Sequence, residues 1–234
     1  IDARKPITEE EMGMVSLFVA FQHTRVPDFE KLSNATSEAM IKALTKRRFS
    51  SVEKTKEIIE EMNKAGVDAD NEVSPEEVYN FVQEEDYTVT TQHEDYIGTM
   101  LSVGIKIAEH LQQMEWIYLF APPGSSFITS DSPLFLIPPK DYKKTHPFEG
   151  VGIATPGVIK IMPLTSRVCL SIGDVGTKVS SRVIDKKKVR AINRWVGTSS
   201  DQFIYAKDKP LLERIIKDRK LDTWRKKQAV ITSN

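Results

Sequence analysis

The stretch Trp116-Ile117-Tyr118-Leu119-Phe120-Ala121-Pro122-Pro123-Gly124 decides the fold. Upstream of it, apolar residues recur three and four positions apart, as helices require. From Trp116 onward they come in short runs closed by proline and glycine, as strands do. The runs Trp116–Ala121, Ser126–Thr129, Leu134–Ile137, Val158–Met162 and Arg167–Ile172 read as strands, broken by Pro122-Pro123-Gly124, Pro138-Pro139 and Pro163. The segment 138–157 is too long for a hairpin turn and reads as a flap.

Before the switch, Thr8 and Glu11 form a capping box, with Ile7 and Met12 as a staple. Met14, Phe18 and Phe21, with Val15 and Val19 beside them, supply that helix's apolar face, and Val26-Pro27 stops it. A second helix starts near Asp28 and runs through Met40, Ile41 and Leu44 to Lys46-Arg47-Arg48. A third, near Ser51 to Lys64, is rich in Glu and Lys and should be solvated; Gly66 closes it. Ser74-Pro75-Glu76-Glu77 opens another. The longest pattern spans Thr91 to Met114, with Ile97, Leu101, Gly104, Ala108 and Leu111 along one stripe. After the strands, Asp185 caps a helix carrying Val189, Ile192, Trp195 and Val196. Phe203-Ile204-Tyr205 is a closing strand and Pro210–Lys217 a last helix. The expectation is α+β: a helical half, residues 1–115, packed on a mainly antiparallel sheet within 116–234, with closing helices at the C-terminus.

The 234 residues suffice for a proper core. Lys+Arg 33 against Asp+Glu 33 leaves no global field toward nucleic acid or membrane. One cysteine, Cys169, within an apolar run, points to an inert core thiol and a cytoplasmic setting. No run approaches the roughly 20 apolar residues of a membrane helix. The opening Ile1-Asp2-Ala3-Arg4-Lys5-Pro6 lacks a leader pattern and a methionine, which predicts residues upstream.

Several pieces, in order, carry a resemblance: Ala20-Phe21-Gln22-His23-Thr24-Arg25-Val26-Pro27, the long helix, Phe127-Ile128-Thr129-Ser130-Asp131-Ser132-Pro133, Met162-Pro163-Leu164-Thr165, Asn193 and Gln202-Phe203-Ile204-Tyr205. Over nearly the whole chain these resemble the uncharacterised bacterial family called domain of unknown function 4238. The resemblance implies a His-His-x-x-Pro-like segment near the N-terminus, which is absent here. It implies no established activity.

Physically, these positions can converge. Gln22 and Arg25 are neighbours on one helix face. Arg25 offers a donor fork for carboxylate or phosphate, and Asp131 is a natural partner for it. Thr129 and Ser130 can hydrogen-bond a ligand, His23 borders the same face, and Asn193 points inward. The expected enzyme is hydrolase- or nuclease-like, acting on nucleic acid or a phosphorylated small molecule. Arg25 and Asp131 would be catalytic, Gln22, His23, Thr129, Ser130 and Asn193 would bind substrate, and Mg²⁺ or Mn²⁺ would assist. The alternative is a non-catalytic sensing or protein-binding module whose Arg–Asp–Gln cluster pins a helix to the sheet.

Weaker signals carry less. His23, His93, His110 and His146 lack metal-ligand spacing. Asp68-Ala69-Asp70-Asn71-Glu72 fails as a calcium loop, with Val73 where glycine is needed. Gly173 and Gly176 make no phosphate loop. Lys46-Arg47-Arg48, Lys186-Lys187-Lys188 and Arg225-Lys226-Lys227 read as solvated faces, although Lys186–Lys188 opposes its helix dipole.

Overall fold

The computed structural model describes residues 7–66, 73–90, 92–143, 151–176 and 178–221. His146, the Asp68–Glu72 run and the Arg225-Lys226-Lys227 cluster lie outside the described residues. Two compact units are present, Asp28–Thr99, and Ile1–Pro27 with Met100–Asn234. This division does not follow the helix-to-strand change near 115/116. That change falls inside the second unit, because α1 and the second half of α5 pack on the sheet.

The first unit is helical. It holds α2 (Pro27–Arg48), α3 (Val52–Lys64) and α4 (Pro75–Glu84), and α5 (His93–Gln112) begins in it. Pro27 stands at the first position of α2, where a missing N–H costs nothing. Ser74 and Glu77 cap α4 reciprocally at 3.2 and 2.9 Å. Helix α3 is solvated apart from Thr55 and Ile58, and Gly66 follows it with φ +76°, a conformation suited to glycine.

In the second unit, α1 (Glu9–Thr24) starts on the Thr8/Glu11 capping box, with bonds of 3.2 and 2.8 Å. Its core-facing stripe is Met12, Val15 and Val19. The expected face through Met14 and Phe18 is corrected: both side chains are exposed. The long α5 stripe is likewise buried only in its second half, at Gly104, Ala108 and Leu111, while Ile97 and Leu101 are exposed. At Gly104 a Cβ would stand 2.6 Å from the Phe21 ring, so α1 and α5 meet where only glycine leaves room.

The sheet comprises β1 (Met114–Phe120), β3 (Phe135–Ile137), β4 (Ile159–Pro163), β5 (Val168–Val175) and β6 (Val179–Val183), in the order β3-β4-β5-β1-β6. All its pairs are antiparallel except β1–β6. Strand β6 has no counterpart among the sequence expectations. It is an exposed edge strand, so no apolar alternation betrays it. After β5 the chain passes under the start of β1, where Gly176 donates to Gln113 O and Lys178 O accepts from Trp116 N. A Cβ at Gly176 would lie 2.6 Å from Cγ of the exposed Glu115 side chain, which would have to move aside for any larger residue.

Period-two alternation assigns the two faces. Trp116, Tyr118, Met162, Leu170 and Ile172 meet α1 and α5 through Val19 and Leu111. Leu119, Phe135, Ile161 and Cys169 meet α6 (Lys186–Ser199) and α7 (Lys209–Leu221) through Val189, Ile192, Val196 and Ile215. A separate two-stranded sheet pairs β2 (Thr129–Ser130) with β7 (Ile204–Tyr205), setting Thr129 opposite Tyr205 and Ser130 opposite Ile204. No helix among the described residues is long and apolar enough to cross a membrane.

Candidate functional site: a cationic, hydroxyl-lined cleft

The expected residues sort into two clamps and one cleft. Asp131 follows β2, and its carboxylate accepts from the backbone N–H groups of Asp201, Gln202 and Phe203 at 3.0, 2.7 and 2.9 Å. Burial pushes this carboxyl up, but the N–H groups of Gln202, Phe203, Asp201 and Ser132 outweigh it and hold the pKa below its ordinary value. The expected Arg25–Asp131 pair is therefore corrected. Arg25 donates to Gln22 Oε1 on its own helix, and both Asp131 oxygens are taken by the turn that leads into β7.

Asn193 forms the second clamp. Only 3% exposed, it accepts from Ile128 N at 3.1 Å and donates to Ser126 O at 2.8 Å. Its amide thus replaces a strand partner for the backbone entering β2, as a buried amide must. Asn193 also lines a separate cavity of about 410 Å³ with Lys186, Arg190 and Arg214. The Lys188 ammonium, which runs against the helix dipole, lies 3.7 Å from the Asp185 cap.

His23 likewise lies elsewhere than expected. It lines an apolar cavity of about 400 Å³ with Ile107, His110 and Ile153, and burial holds its pKa below the ordinary value. Gly152, Ile153 and Ala154, from the described part of the expected flap, border this cavity, and Ile153 is buried in the α1-side core. None of the described residues of 138–157 lines the Arg25 cleft.

That cleft, of about 460 Å³, draws the remaining candidates together. One wall is α1 and its C-cap Arg25, with Phe18, Gln22 and Arg25 on one stripe at spacings of four and three. The other parts come from Phe127–Ser130, the β4–β5 turn through Thr165 and Ser166, Tyr205 at the end of β7, and Ala206 and Lys207 after it. Gln22, Arg25, Thr129 and Ser130 converge as the sequence predicts. Phe18, Tyr205, Lys207, Thr165 and Ser166 were not foreseen as site residues, although Thr165 and Tyr205 stand in the segments that carry the family resemblance.

The chemistry of the cleft is one-sided. Arg25 and Lys207 supply positive charge, and Thr129, Ser130, Thr165 and Ser166 supply hydroxyls. Among the described residues that line it there is no Asp, Glu or His. Thr165 Oγ1 accepts from Arg167 N and Val168 N at 3.1 and 3.0 Å, which leaves its own O–H to donate. Ser130 is 5% exposed, and its Oγ has no hydrogen-bond partner among the described residues. Leaving a buried hydroxyl unmet costs about 1–3 kcal/mol, so its placement at a cleft is informative. No cluster of three or more metal-ligating side chains occurs among the described residues.

The family model described as Protein of unknown function (DUF4238) matches residues 1–210. No curated protein and no solved structure matches the chain.

Proposed function

The chain belongs to the DUF4238 family, a family of unknown function, and on that premise we propose that its cleft binds the phosphate of a phosphorylated small molecule. The convergence of Arg25, Lys207 and the unpartnered Ser130 hydroxyl in a cleft without a carboxylate carries this reading. Guanidinium and ammonium groups match a phosphate's charge, and hydroxyls match its acceptor oxygens. Gln22 holds the guanidinium from its own helix, which lowers the cost of fixing it. A small molecule is favoured over a nucleic-acid strand because the formal net charge is zero and the cleft holds little more than one nucleotide-sized group. We take the place of action to be the bacterial cytoplasm, which the single buried thiol suits.

The test is equilibrium binding of inorganic phosphate and pyrophosphate. Binding that weakens at least about tenfold in Arg25→Ala and Lys207→Ala, in variants that melt like the parent, supports the reading. Absence of binding at millimolar ligand overturns it.

A hydrolase- or nuclease-like activity is the second reading: Ser130 lines the cleft with Arg25 and Lys207, and with no Asp, Glu or His among the described lining residues its proton would pass to an oxygen of the substrate's own phosphate. Asp131 is not the base or metal ligand in this reading, because its oxygens are engaged by backbone N–H groups. Turnover of a phosphoester with Mg²⁺ or Mn²⁺ that disappears in Ser130→Ala, while phosphate still binds, would establish it. Turnover that survives Ser130→Ala would take the nucleophile's role from Ser130, and absence of turnover in the parent would remove the reading.

A further inference from the structure

Two aromatic rings at the cleft have no role in holding a phosphate. Phe18 is 50% exposed and Tyr205 55% exposed, one on α1 and the other on β7, and both line the cleft with Arg25 and Lys207. Neither ring stacks on another aromatic among the described residues. A half-exposed ring contributes little to a core, yet these two stand where apolar Met162, Pro163 and Leu164 continue the same lining. The lining of this cleft of about 460 Å³ therefore includes aromatic and apolar side chains as well as cationic and hydroxyl ones.

Resting on the phosphate-binding reading above, we infer that the ligand is a nucleoside phosphate whose base lies against Phe18 and Tyr205 while its phosphate meets Arg25, Lys207 and Ser130. Every nucleobase has a flat π-face that stacks on an aromatic side chain, and a sugar phosphate or inorganic phosphate has none. The Gln22 amide, on the α1 stripe between Phe18 and Arg25, keeps its N–H donors for a ligand while its oxygen accepts from Arg25. A volume of this size accommodates one nucleotide.

The experiment compares adenosine 5′-monophosphate with ribose 5-phosphate by calorimetric titration of the full chain. The nucleotide should bind about tenfold tighter, because it alone can stack. Phe18→Leu and Tyr205→Leu keep apolar volume but remove the π-face. Each should weaken the nucleotide about tenfold and leave ribose 5-phosphate unchanged, whereas Arg25→Ala should weaken both. A 5′-phosphorylated trinucleotide distinguishes sources: tighter binding than the mononucleotide assigns the site to a strand end, and equal binding assigns it to free nucleotide. Equal affinities for nucleotide and ribose 5-phosphate, unmoved by the two leucine variants, overturn the stacking inference and leave phosphate binding standing. If ribose 5-phosphate and inorganic phosphate also fail to bind, the underlying reading falls with it.

Discussion

The Asp131 carboxylate accepts from the backbone N–H of Gln202 at 2.7 Å, across 71 positions of sequence. It joins the end of β2 to the turn before β7, and so sets Tyr205 and Lys207 beside the cleft. This acid shapes the site without entering it: Asp131 is not among the residues that line the cleft, whereas its neighbour Ser130 is.

Asp131→Asn should lower stability by about 1–2 kcal/mol, because the amide nitrogen cannot accept and the partly exposed carboxylate already shares its field with water. The effect has a pH signature. A carboxyl held below its ordinary value binds its proton less readily in the folded chain than in the unfolded one. Its contribution is complete above the unfolded carboxyl pKa and is lost as pH falls through the folded value. Urea melts should therefore show the parent's advantage over Asp131→Asn shrinking below about pH 4. A difference that stays constant down to pH 2 would mean the carboxylate charge is not what holds the turn.

Arg25→Ala should behave oppositely. The guanidinium is exposed and its hydrogen bond stays within α1, so the melting temperature should move by no more than about 0.5 kcal/mol equivalent while phosphate binding is lost. A loss of several kcal/mol would restore a buried partner for Arg25 and revive the clamp that the sequence suggested.

The sequence was most legible where rules are local. Thr8/Glu11, Ser74/Glu77 and Asp185 cap helices because capping needs only residues three apart, and the strands after Trp116 show as short apolar runs because helices cover both faces of the sheet. It was ambiguous along α1, which carries two apolar stripes. Met12, Val15 and Val19 won the core, and Phe18 was left to the cleft. Strand β6 was hidden because an edge strand paired on one side needs little apolar content. Arg25 and Ser130 line one cleft, as the two polar segments that carry them suggested. The partner of Asp131 was misread because the competing donors are backbone N–H groups at Asp201–Phe203, and residue type does not reveal them.

Asn193→Ala should be among the costlier single changes in this unit. It strands the Ile128 N–H and the Ser126 carbonyl next to a packed core, for a loss of about 2–4 kcal/mol. Asn193→Asp keeps the acceptor for Ile128 but loses the donor for Ser126, and it buries a charge, so it should rescue little. Denaturant unfolding of both variants checks this. If Asp restores most of the stability, the bond to Ile128 alone carries the clamp.

Lys160 gives the last prediction. The residue is 1% exposed on β4, and its ammonium donates to Val158 O at 3.0 Å and Gly173 O at 3.1 Å, with no ion pair to a carboxylate among the described residues. Burial pushes its pKa below the ordinary 10.5, and Asp174 opposes that only in part. For a base held low, the unfolded chain binds the proton more readily than the folded one. The charge therefore costs stability below the folded pKa, and the cost is relieved as pH rises through that value toward 10.5. Lys160→Met removes the charge at similar volume but leaves two carbonyls short of a donor, so at pH 7 the two effects should cancel to within about 1 kcal/mol. As pH rises through the folded pKa toward 10.5, the parent should gain on Lys160→Met as its ammonium discharges. Parallel stability curves over that range would show that the two carbonyl bonds fully compensate the buried charge.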